Sequence, residues 1–474
     1  MLLDADQCYR ALRTHDARFD GRFFVGVATT RIYCRPVCSA RTPNREHCHF
    51  FASAAAAETE GFRPCLRCRP EMAPGHASID ATRRLAQAAA DLIEEGHLTD
   101  TGMNELAAKL SVTDRHLRRV FQQEFGVAPV EYAQTQRLLL GKRLLTDTRM
   151  PVIDVAMASG FASLRRFNHL FRTRYRMTPL ELRKSAPTRE AQRDFRFDLA
   201  YRPPYDWEAM LDFLSRRAIP GVEHVEGREY RRTLRIVRGG QAHAGMIRVS
   251  PIAKRSAVRV VVSESLARVL PSVLGRVKHL LDLSCHPDEV LAVLGDLAKN
   301  PGLRVPGCVD GFEIAVRAIL GQQVTVVAAA RIAHRLVERF GEVLEGDGTL
   351  NRLFPTAATL AAADPSDIAA CGIIGARARA ISSLAREVDA GRLSLERTAP
   401  LDATIAALKA VRGIGPWTAQ YIAMRALGWP DAFPHPDVAA MKAMSQKSAA
   451  AALRHAEQWR PWRAYALIHL WRSL

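Results

Sequence analysis

Four cysteines stand in two pairs at spacings typical of metal ligands. Three residues separate Cys34 from Cys38, two separate Cys65 from Cys68, and 26 residues lie between the pairs. Thiolates at these spacings suit tetrahedral zinc. Basic residues that would keep thiols ionised and attract phosphate flank the pairs, namely Arg31, Arg35, Arg41, Arg63, Arg67 and Arg69. The pattern predicts a zinc site, which on this evidence is either structural or nucleophilic.

A second stretch with chemical potential reads LKAVRGIGPWTA over residues 408–419, and an acidic residue, Asp437, follows it. Gly413 and Gly415 permit a turn that residues with a β-carbon make only at a cost, and Pro416 suits the first position of a new helix. We therefore predict two helices joined by a tight loop whose backbone N–H groups face outward. Such a loop is a nest for a phosphate group, and it holds a nucleic-acid backbone without reading its sequence.

The composition favours a polyanionic partner. The 474 residues carry a formal net charge of +18, and residues 1–185 alone hold 28 basic against 20 acidic side chains, so both halves are basic. A generally arginine-rich proteome would give the same balance. No apolar run approaches the ~20 residues of a membrane span, and the N-terminus lacks a signal-peptide core. The nine cysteines favour metal or free thiols over disulfides. We expect a cytoplasmic protein without a membrane partner.

The length predicts three or four domains. Residues 1–76 combine cysteines, arginines and short apolar runs, and residues 79–185 have helical periodicity. A polar stretch at 185–194 is a candidate linker. Residues 195–280 mix helices with strand-like runs (FRFDLAY, RRTLRIVRG and AVRVVVS), and residues 281–474 are nearly all helical. The predicted fold is multidomain and mainly α, with α+β parts.

The second region contains two similar helix pairs, MNELAAKLSVTDRHLRRVFQQEFG and VIDVAMASGFASLRRFNHLFRTRYRMTP. The second helix of such a pair lies in the DNA major groove and contacts bases near its N-terminus. We expect the apolar positions to be core residues: Leu117, Val120, Phe121, Leu164, Phe167 and Phe171. The polar candidates, which contact DNA or form a solvated face, are Arg115, Arg118, Arg165, Arg166 and Asn168.

The segment FFVGVATTRIYCRPVCSARTP…GFRPCLRCRPE closely resembles the N-terminal domain of the Ada family of methylation-response regulators. The resemblance implies that Cys34 accepts a methyl group from a DNA methylphosphotriester, and that Cys38, Cys65 and Cys68 complete the zinc site. The family does not use the neighbouring His47-Cys48-His49 group, for which we expect a surface or packing role. The remaining cysteines, Cys8, Cys285, Cys308 and Cys371, are expected to be core fillers.

The helix pairs resemble the AraC-type DNA-binding domain, down to the closing signature GFASLRRFNHLFRTRYRMTPLELR, and in the Ada family this domain follows the zinc domain. Complete Ada proteins usually carry a further PCHRV motif that repairs O6-methylguanine. The sequence has no such motif, so we expect no transfer from O6-methylguanine.

Most of residues 195–474 resembles the AlkA-type 3-methyladenine DNA glycosylases, through YRPPYDWEAMLDFLSRRAIPGVE, VPGCVDGFEIAVRAILGQQVT, VRGIGPWTAQYIAMRALGW and QWRPWRAYALIHLWR. The resemblance implies a small antiparallel α+β domain and a helix-hairpin-helix domain with a cleft. Asp437 is then catalytic, whereas we expect the nearby Asp431 to be an exposed turn residue. The implied base pocket consists of Trp417, Tyr421 and Trp471, and the implied DNA contacts are Gly413, Ile414, Gly415 and Gln323, the last at a position where relatives insert a leucine.

Lyase-active relatives place a lysine where Trp417 stands, so the resemblance implies a monofunctional glycosylase. The favoured interpretation is a fusion that senses methyl damage, activates transcription and excises alkylated bases. Its partners are double-stranded DNA (alkylated DNA and a promoter operator) and RNA polymerase, and we expect a monomer that binds Zn²⁺. One alternative is a regulator whose rear half only binds DNA, and another is a zinc-stabilised architectural DNA-binding protein without chemistry.

Overall fold

The computed structural model describes residues 4–74, 81–185, 194–345 and 348–473. Nearly all of the predicted linker at 185–194 lies outside these residues. Within them, no helix is long and apolar enough to cross a membrane.

The first domain is a small sheet flanked by helices. Its strands lie in the order β3-β1-β2-β4, and β1 is antiparallel to both neighbours, whereas β2 and β4 are parallel. Its elements are α1 (Ala5–Arg13), β1 (Phe24–Val27), β2 (Ile32–Cys34), β3 (Cys48–Phe51), α2 (Ala54–Thr59) and β4 (Arg63–Pro64). Cys34 ends β2 and Cys65 directly follows the parallel strand β4, which brings these two cysteines together.

The second domain is helical and contains the two predicted helix pairs. Its elements are α3 (Ala81–Glu94), α4 (His97–Asp100), α5 (Met103–Lys109), α6 (Asp114–Phe125), α7 (Pro129–Asp147), α8 (Val152–Ala158), α9 (Leu164–Tyr175) and α10 (Pro179–Ser185). Thr113 and Ser163 cap the second helix of each pair by accepting an N–H from its first turn. Of the predicted core residues, five are fully buried and Leu164 is half-buried.

Helix α7 joins the two helix pairs and contacts three domains. Its Lys142 forms a buried ion pair with Glu71 of the first domain at 2.8 Å. Its Arg143 donates to the carbonyl of Asp198 at 2.7 Å and lies over the ring of Phe197, 4.6 Å from the centroid. The sequence pattern did not single out this helix, because polar residues that serve other domains interrupt its apolar periodicity.

A five-stranded antiparallel sheet with the order β5-β9-β8-β7-β6 forms the third part. Its elements are β5 (Phe195–Ala200), α11 (Trp207–Ser215), β6 (Glu223–Glu226), β7 (Glu229–Arg238), β8 (Gln241–Pro251) and β9 (Ala257–Val262). The three strand-like runs in the sequence are confirmed as β5, β7 and β9. The central strand β8 was missed because its first half, QAHAG, lacks the β-branched and aromatic residues that mark strands.

The fourth part is helical, as predicted. Its helices are α12 (Leu270–Leu280), α13 (Pro287–Leu294), α14 (Gly311–Leu320), α15 (Val326–Phe340), α16 (Ala357–Ala362), α17 (Pro365–Ala369), α18 (Gly375–Asp389), α19 (Leu401–Ala410), α20 (Pro416–Arg425), α21 (Val438–Ala443), α22 (Ala449–Ala456) and α23 (Arg463–Arg472). The apolar residues of α12 join the core of the sheet, and the other helices form two further hydrophobic cores. Helix α20 contributes Ile422 to one core and Met424 to the other, so it lies between them.

The front and rear halves pack against each other through a common core. One hydrophobic cluster includes Val155 and Phe171 of the helix pairs together with Val258 and Leu266 from the sheet region. Ion pairs also cross the interface: Lys278 with Glu94 (3.2 Å), Arg397 with Asp91 (2.8 Å) and Arg22 with Glu289 (3.1 Å). The two halves therefore form one packed body.

Helices α7 and α9 are in close contact at Gly141, and a substitution there shows how much the stability depends on this packing. A β-carbon at Gly141 would lie 2.7 Å from the ring of Phe167. Alanine favours a helix by up to ~1 kcal/mol over glycine, whereas overpacking costs about 1–3 kcal/mol. We expect Gly141→Ala to lower the stability by about 1–2 kcal/mol, measured as the unfolding midpoint in urea. In a Phe167→Leu background, which makes room, the same substitution should cost less; equal losses in both backgrounds would exclude the clash as the cause.

Candidate active sites

The Asp437 carboxylate is held by three donors from three elements. Its Oδ1 accepts the N–H of Ala440 in the first turn of α21 (2.8 Å) and the indole N–H of Trp471 (3.1 Å). Its Oδ2 accepts the indole N–H of Trp417 at 2.9 Å. The residue is only 9% exposed. Three donors on two oxygens fix the orientation of the carboxylate.

Aromatic rings surround this carboxylate. Trp417 and Tyr421, one turn apart on α20, stack with centroids 5.1 Å apart and an interplanar angle of 10°. The ring of Trp471 lies 6.5 Å from that of Tyr421, at 41°. The structure thus brings together the four residues that the sequence placed in the glycosylase site. The indoles of Trp417 and Trp471 thus belong to this aromatic group and also orient the Asp437 carboxylate.

Guanidinium groups lie near the Tyr421 hydroxyl. Arg425 is buried, donates to the Tyr421 hydroxyl at 2.7 Å and donates to the carbonyl of Gly307 at 2.9 Å. Burial raises the pKa of Tyr421, but the charges of Arg425, Arg217 and Arg317 outweigh it and leave this pKa below its usual value. Arg425 was not among the predicted site residues, although its position four residues after Tyr421 places it on the same helix face.

The hairpin between α19 and α20 forms as predicted, but its two glycines differ. Gly413 has φ +98°, whereas Gly415 is the N-cap of α20 with φ −88°. The expectation that both glycines supply conformational freedom is therefore wrong for Gly415, whose backbone suits any residue. Ile414 is buried and donates its N–H to the carbonyl of Val411, so this amide is engaged within the turn. The first-turn amides of α20 have no intrahelical acceptor.

A glutamine fastens the neighbouring loop to the hairpin. The Gln322 side chain donates to the Gly413 carbonyl (3.0 Å) and to the Thr418 hydroxyl (2.9 Å). The next residue, Gln323, is exposed and has φ +56°. The candidate wedge is thus held beside the hairpin by a residue that the sequence analysis did not select.

Asp431 is not an exposed turn residue, contrary to the prediction. It is 6% exposed, and its carboxylate accepts from Arg463 and Arg460, each at 2.7 Å. Burial of an acid requires such partners. Asp431 therefore ties the loop before Asp437 to α23.

The four candidate zinc ligands converge. The sulfur atoms of Cys34, Cys38, Cys65 and Cys68 all lie within 4.8 Å of one another, and no other such group of His, Cys, Asp and Glu occurs in the described parts of the chain. Four thiolates at this separation fit tetrahedral zinc. The other cysteines are buried, as expected, and Cys48 packs in the core of the first domain beside α1.

The arginines around the cluster are not all free cations. Arg35 is buried in an ion pair with Asp20, and its backbone N–H donates to the sulfur of Cys68 at 3.3 Å. Arg69 pairs with Asp147 at 2.6 Å. Arg41 and Arg67 are exposed. Arg35 and Arg69 are therefore ion-paired within the protein, and Arg35 contacts Cys68 as well, through its backbone N–H to the sulfur and its guanidinium to the carbonyl.

The predicted DNA-contacting residues of the helix pairs lie on the second helix of each pair. Arg115, Arg165 and Arg166 are exposed near the helix N-termini. Arg118 is exposed too, but it donates to Asp114 one turn earlier at 2.9 Å. Both helices therefore present basic groups to solvent, and a contact with DNA by Arg118 would compete with its ion pair.

Four protein families match consecutive parts of this chain. The metal binding domain of Ada matches residues 7–71, a helix-turn-helix domain matches 106–185, the AlkA N-terminal domain matches 196–310, and the HhH-GPD superfamily of base excision DNA repair proteins matches 316–459. The order is the predicted one. The Ada-type domain and its cysteine cluster identify zinc as the metal.

A Mycobacterium tuberculosis protein named "Probable bifunctional transcriptional activator/DNA repair enzyme AlkA" is 38% identical over 488 residues, which cover 99% of this chain and 97% of that protein. The chain belongs to the family of this bifunctional transcriptional activator and DNA repair enzyme. Its rear half is also similar to DNA-3-methyladenine glycosylase 2 of Escherichia coli, with 39% identity over 58% of this chain and 96% of that protein. A solved 3-methyladenine DNA glycosylase from Archaeoglobus fulgidus shares the fold, with a TM-score of 0.50 at 24% identity over 58% of this chain and 98% of that one.

The two hairpin glycines make a matched pair for experiment. A β-carbon at Gly413 would be strained by the positive φ and would lie 2.9 Å from that of Ala380, whereas one at Gly415 meets nothing within 4 Å. We expect Gly413→Ala to lower stability by about 1–3 kcal/mol in a denaturant titration. Gly415→Ala should leave the midpoint unchanged. Equal losses would show that the hairpin conformation does not depend on Gly413.

Proposed function

We propose that this bifunctional protein senses methyl damage with its first two domains and releases alkylated bases of the 3-methyladenine type with its last two. The observation that carries the second activity is the Asp437 carboxylate held between the indole N–H groups of Trp417 and Trp471. An acid so placed, between the N–H edges of two indole rings, suits a reaction in which positive charge develops on a sugar beneath a bound base.

Base release proceeds by hydrolysis of the N-glycosidic bond. An alkylated purine carries a positive charge, so the bond breaks with its electron pair on the base, which leaves neutral. The nucleotide must first leave the base stack, after which Trp417, Tyr421 and Trp471 hold the cationic base by stacking and cation–π attraction. Asp437 stabilises the oxocarbenium-like sugar and orients the attacking water. Because residue 417 is a tryptophan, no Schiff base forms there and the product is an abasic site.

The hairpin holds the DNA during this reaction. Gly413 and Gly415 bring the backbone of the hairpin close to a DNA phosphate, and the unpaired amides in the first turn of α20 together with the positive end of the helix dipole attract it. Ile414, whose amide is engaged within the turn, supports the hairpin from its buried side. Gln323 fills the space that the flipped nucleotide leaves, and Gln322 keeps it next to the hairpin. The grip is independent of sequence, as a repair enzyme requires.

Methyl transfer takes place at Cys34. The thiolate sulfur attacks the methyl carbon of a phosphotriester, the S–C bond forms, and the C–O bond breaks with its electron pair on the phosphate oxygen. Zinc, when bound by Cys34, Cys38, Cys65 and Cys68, keeps the thiols ionised. Transfer turns one thiolate into a neutral thioether, so the negative charge of the site falls and its repulsion of DNA phosphate decreases.

The weakened repulsion allows the helix pairs to bind an operator through Arg115, Arg118, Arg165 and Arg166. As an activator, the DNA-bound protein would contact RNA polymerase. We propose that it acts as a monomer, since the two helix pairs already supply two recognition helices in one chain. Both activities place it in the compartment that holds the chromosome.

Replacement of the catalytic acid tests the glycosylase assignment. In Asp437→Asn the neutral amide no longer stabilises positive charge, and its NH₂ group meets an indole donor. We expect the rate of abasic-site formation on DNA with 3-methyladenine or 7-methylguanine to fall about 100-fold or more, with DNA binding retained. Asp402→Asn, an exposed position that changes the net charge equally, is the control. Wild-type rates in both variants would remove Asp437 from the mechanism.

Mass spectrometry tests the acceptor. After incubation with DNA that contains methylphosphotriesters, the protein should gain one methyl group, and peptide mapping should locate it on Cys34. Cys34→Ser should gain none, whereas Cys371→Ala, which removes a buried thiol of the rear half, should react as the wild type does. A methyl group on Cys38, Cys65 or Cys68 would contradict the assignment.

A further inference from the structure

The residue at the start of α18 is an exposed isoleucine. Ile374 is the N-cap of α18 and is 63% exposed. Its side chain cannot accept an N–H from the first turn, so at this position it stabilises the helix less than Ser, Thr, Asp or Asn would. The three preceding helices each begin with an accepting side chain, namely that of Thr325, Thr356 or Asp364. Ile374 therefore contributes neither a cap to its helix nor apolar surface to a core.

The turn that carries Ile374 is fixed by its neighbours. Ile373 is buried and anchors the turn in one of the two helical cores. Gly372 has φ +81°, and Arg335 of α15 donates to the carbonyl of Cys371 at 2.6 Å. The carbonyl of Ile374 accepts two N–H groups from α18. A rigid stretch of backbone therefore presents the exposed side chain.

Ile374 lies next to the hairpin that is proposed to hold the DNA. A β-carbon at Gly413 would lie 2.9 Å from that of Ala380 and 4.0 Å from the carbonyl oxygen of Ala376, so the first two turns of α18 pack against the hairpin. Ala376 follows Ile374 by two residues, which corresponds to at most about 7 Å of backbone. A DNA strand held by the hairpin therefore passes within reach of the Ile374 side chain.

Basic side chains accompany the apolar one. Arg412, in the hairpin, and Arg379, in the second turn of α18, are both exposed. The Nη1 atom of Arg379 lies 3.4 Å from the position that a β-carbon on Gly375 would occupy, so its guanidinium reaches back to the start of the helix. Proteins that bind the minor groove combine cations, which contact phosphates, with an apolar side chain that enters a base step and partly unstacks it. The combination favours DNA as the partner of this surface.

We propose that Ile374 inserts between base pairs next to the damaged nucleotide and unstacks them, which assists extrusion of that nucleotide towards Asp437. The inference rests on the proposed excision of alkylated bases, and it adds a second point of entry into the duplex besides Gln323. An amide side chain between bases leaves polar groups without hydrogen bonds, whereas an isoleucine side chain has none to satisfy. Ile374 is a positioning residue, because it acts on the stacking of the DNA and not on the bond that breaks.

A serine at this position separates insertion from helix stability. Ile374→Ser supplies the missing cap, so its unfolding midpoint in urea should equal or exceed that of the wild type. The same variant should bind a duplex with a tetrahydrofuran abasic-site analogue about tenfold more weakly, because it lacks the apolar side chain. Its kcat/KM for release of 3-methyladenine from duplex DNA should fall by a similar factor.

Two further variants serve as controls. Ile374→Leu stays apolar and should retain the wild-type affinity for the duplex with the abasic analogue. Val237→Ala truncates an apolar side chain on β7 that is 64% exposed, and it should not change this affinity.

Unstacking is measured with 2-aminopurine, whose fluorescence rises when it leaves the base stack. The probe lies one base pair from the abasic analogue, and excess undamaged duplex competes for the helix pairs. Wild-type protein should raise the fluorescence, whereas Ile374→Ser at saturating concentration should lose most of this rise. Single-stranded DNA with the same analogue has no base pairs to separate, so both proteins should bind it equally.

The outcomes separate the inference from the function on which it rests. A wild-type protein that releases no 3-methyladenine would overturn the proposed excision itself. If the wild type releases the base and Ile374→Ser matches it in affinity, activity and fluorescence change, only the insertion is overturned. An equal loss of affinity in Val237→Ala, or for single-stranded DNA, would also contradict the insertion, because such a loss does not depend on base pairs at this site.

Discussion

The hydrogen bonds from Trp417 and Trp471 to Asp437 are the constraint around which the rear half is arranged. They require that the start of α20, the start of α21 and the end of α23 meet at one carboxylate. Asp431 contributes to the same arrangement, because it ties the loop before α21 to Arg463 at the beginning of α23. An acid that is only 9% exposed is stable only when its partners are fixed, so the stability of the site and the geometry proposed for catalysis have the same origin.

The front half depends on buried polar groups of a different kind. Helix α7 carries Thr135, Lys142 and Arg143 in its buried face, and each has a partner in another domain: Glu58, Glu71 and the carbonyl of Asp198. Apolar packing alone would allow several relative orientations of these domains. Directional bonds from one rigid helix select a single orientation, because a buried group that lost its partner would be left unsatisfied.

Most of the features that the sequence predicted correctly depend on the spacing of residues within short segments of the chain. The cysteine pairs, the hairpin, the helix pairs and three of the five sheet strands depend on residues close together in the chain, so their patterns are visible without the fold. The misassignments involve long-range partners. Asp431 was expected in solvent because Arg460 and Arg463 lie about 30 positions away, and the ion pair that Arg35 forms with Asp20 was not predicted. Gln322 and Arg425 went unnoticed because their roles depend on which loop and which ring lie opposite them.

The common core of the helix pairs and the sheet has a consequence for how the two halves share DNA. Two binding modules joined by a flexible tether raise each other's local concentration over a range of separations. Modules joined by a packed core do so at one separation and one angle only. Binding to an operator therefore raises the local concentration of the excision site at a nearby damaged base only if that base lies at the matching helical phase. Elsewhere on the chromosome, the protein is an excision enzyme with a second, independent basic surface.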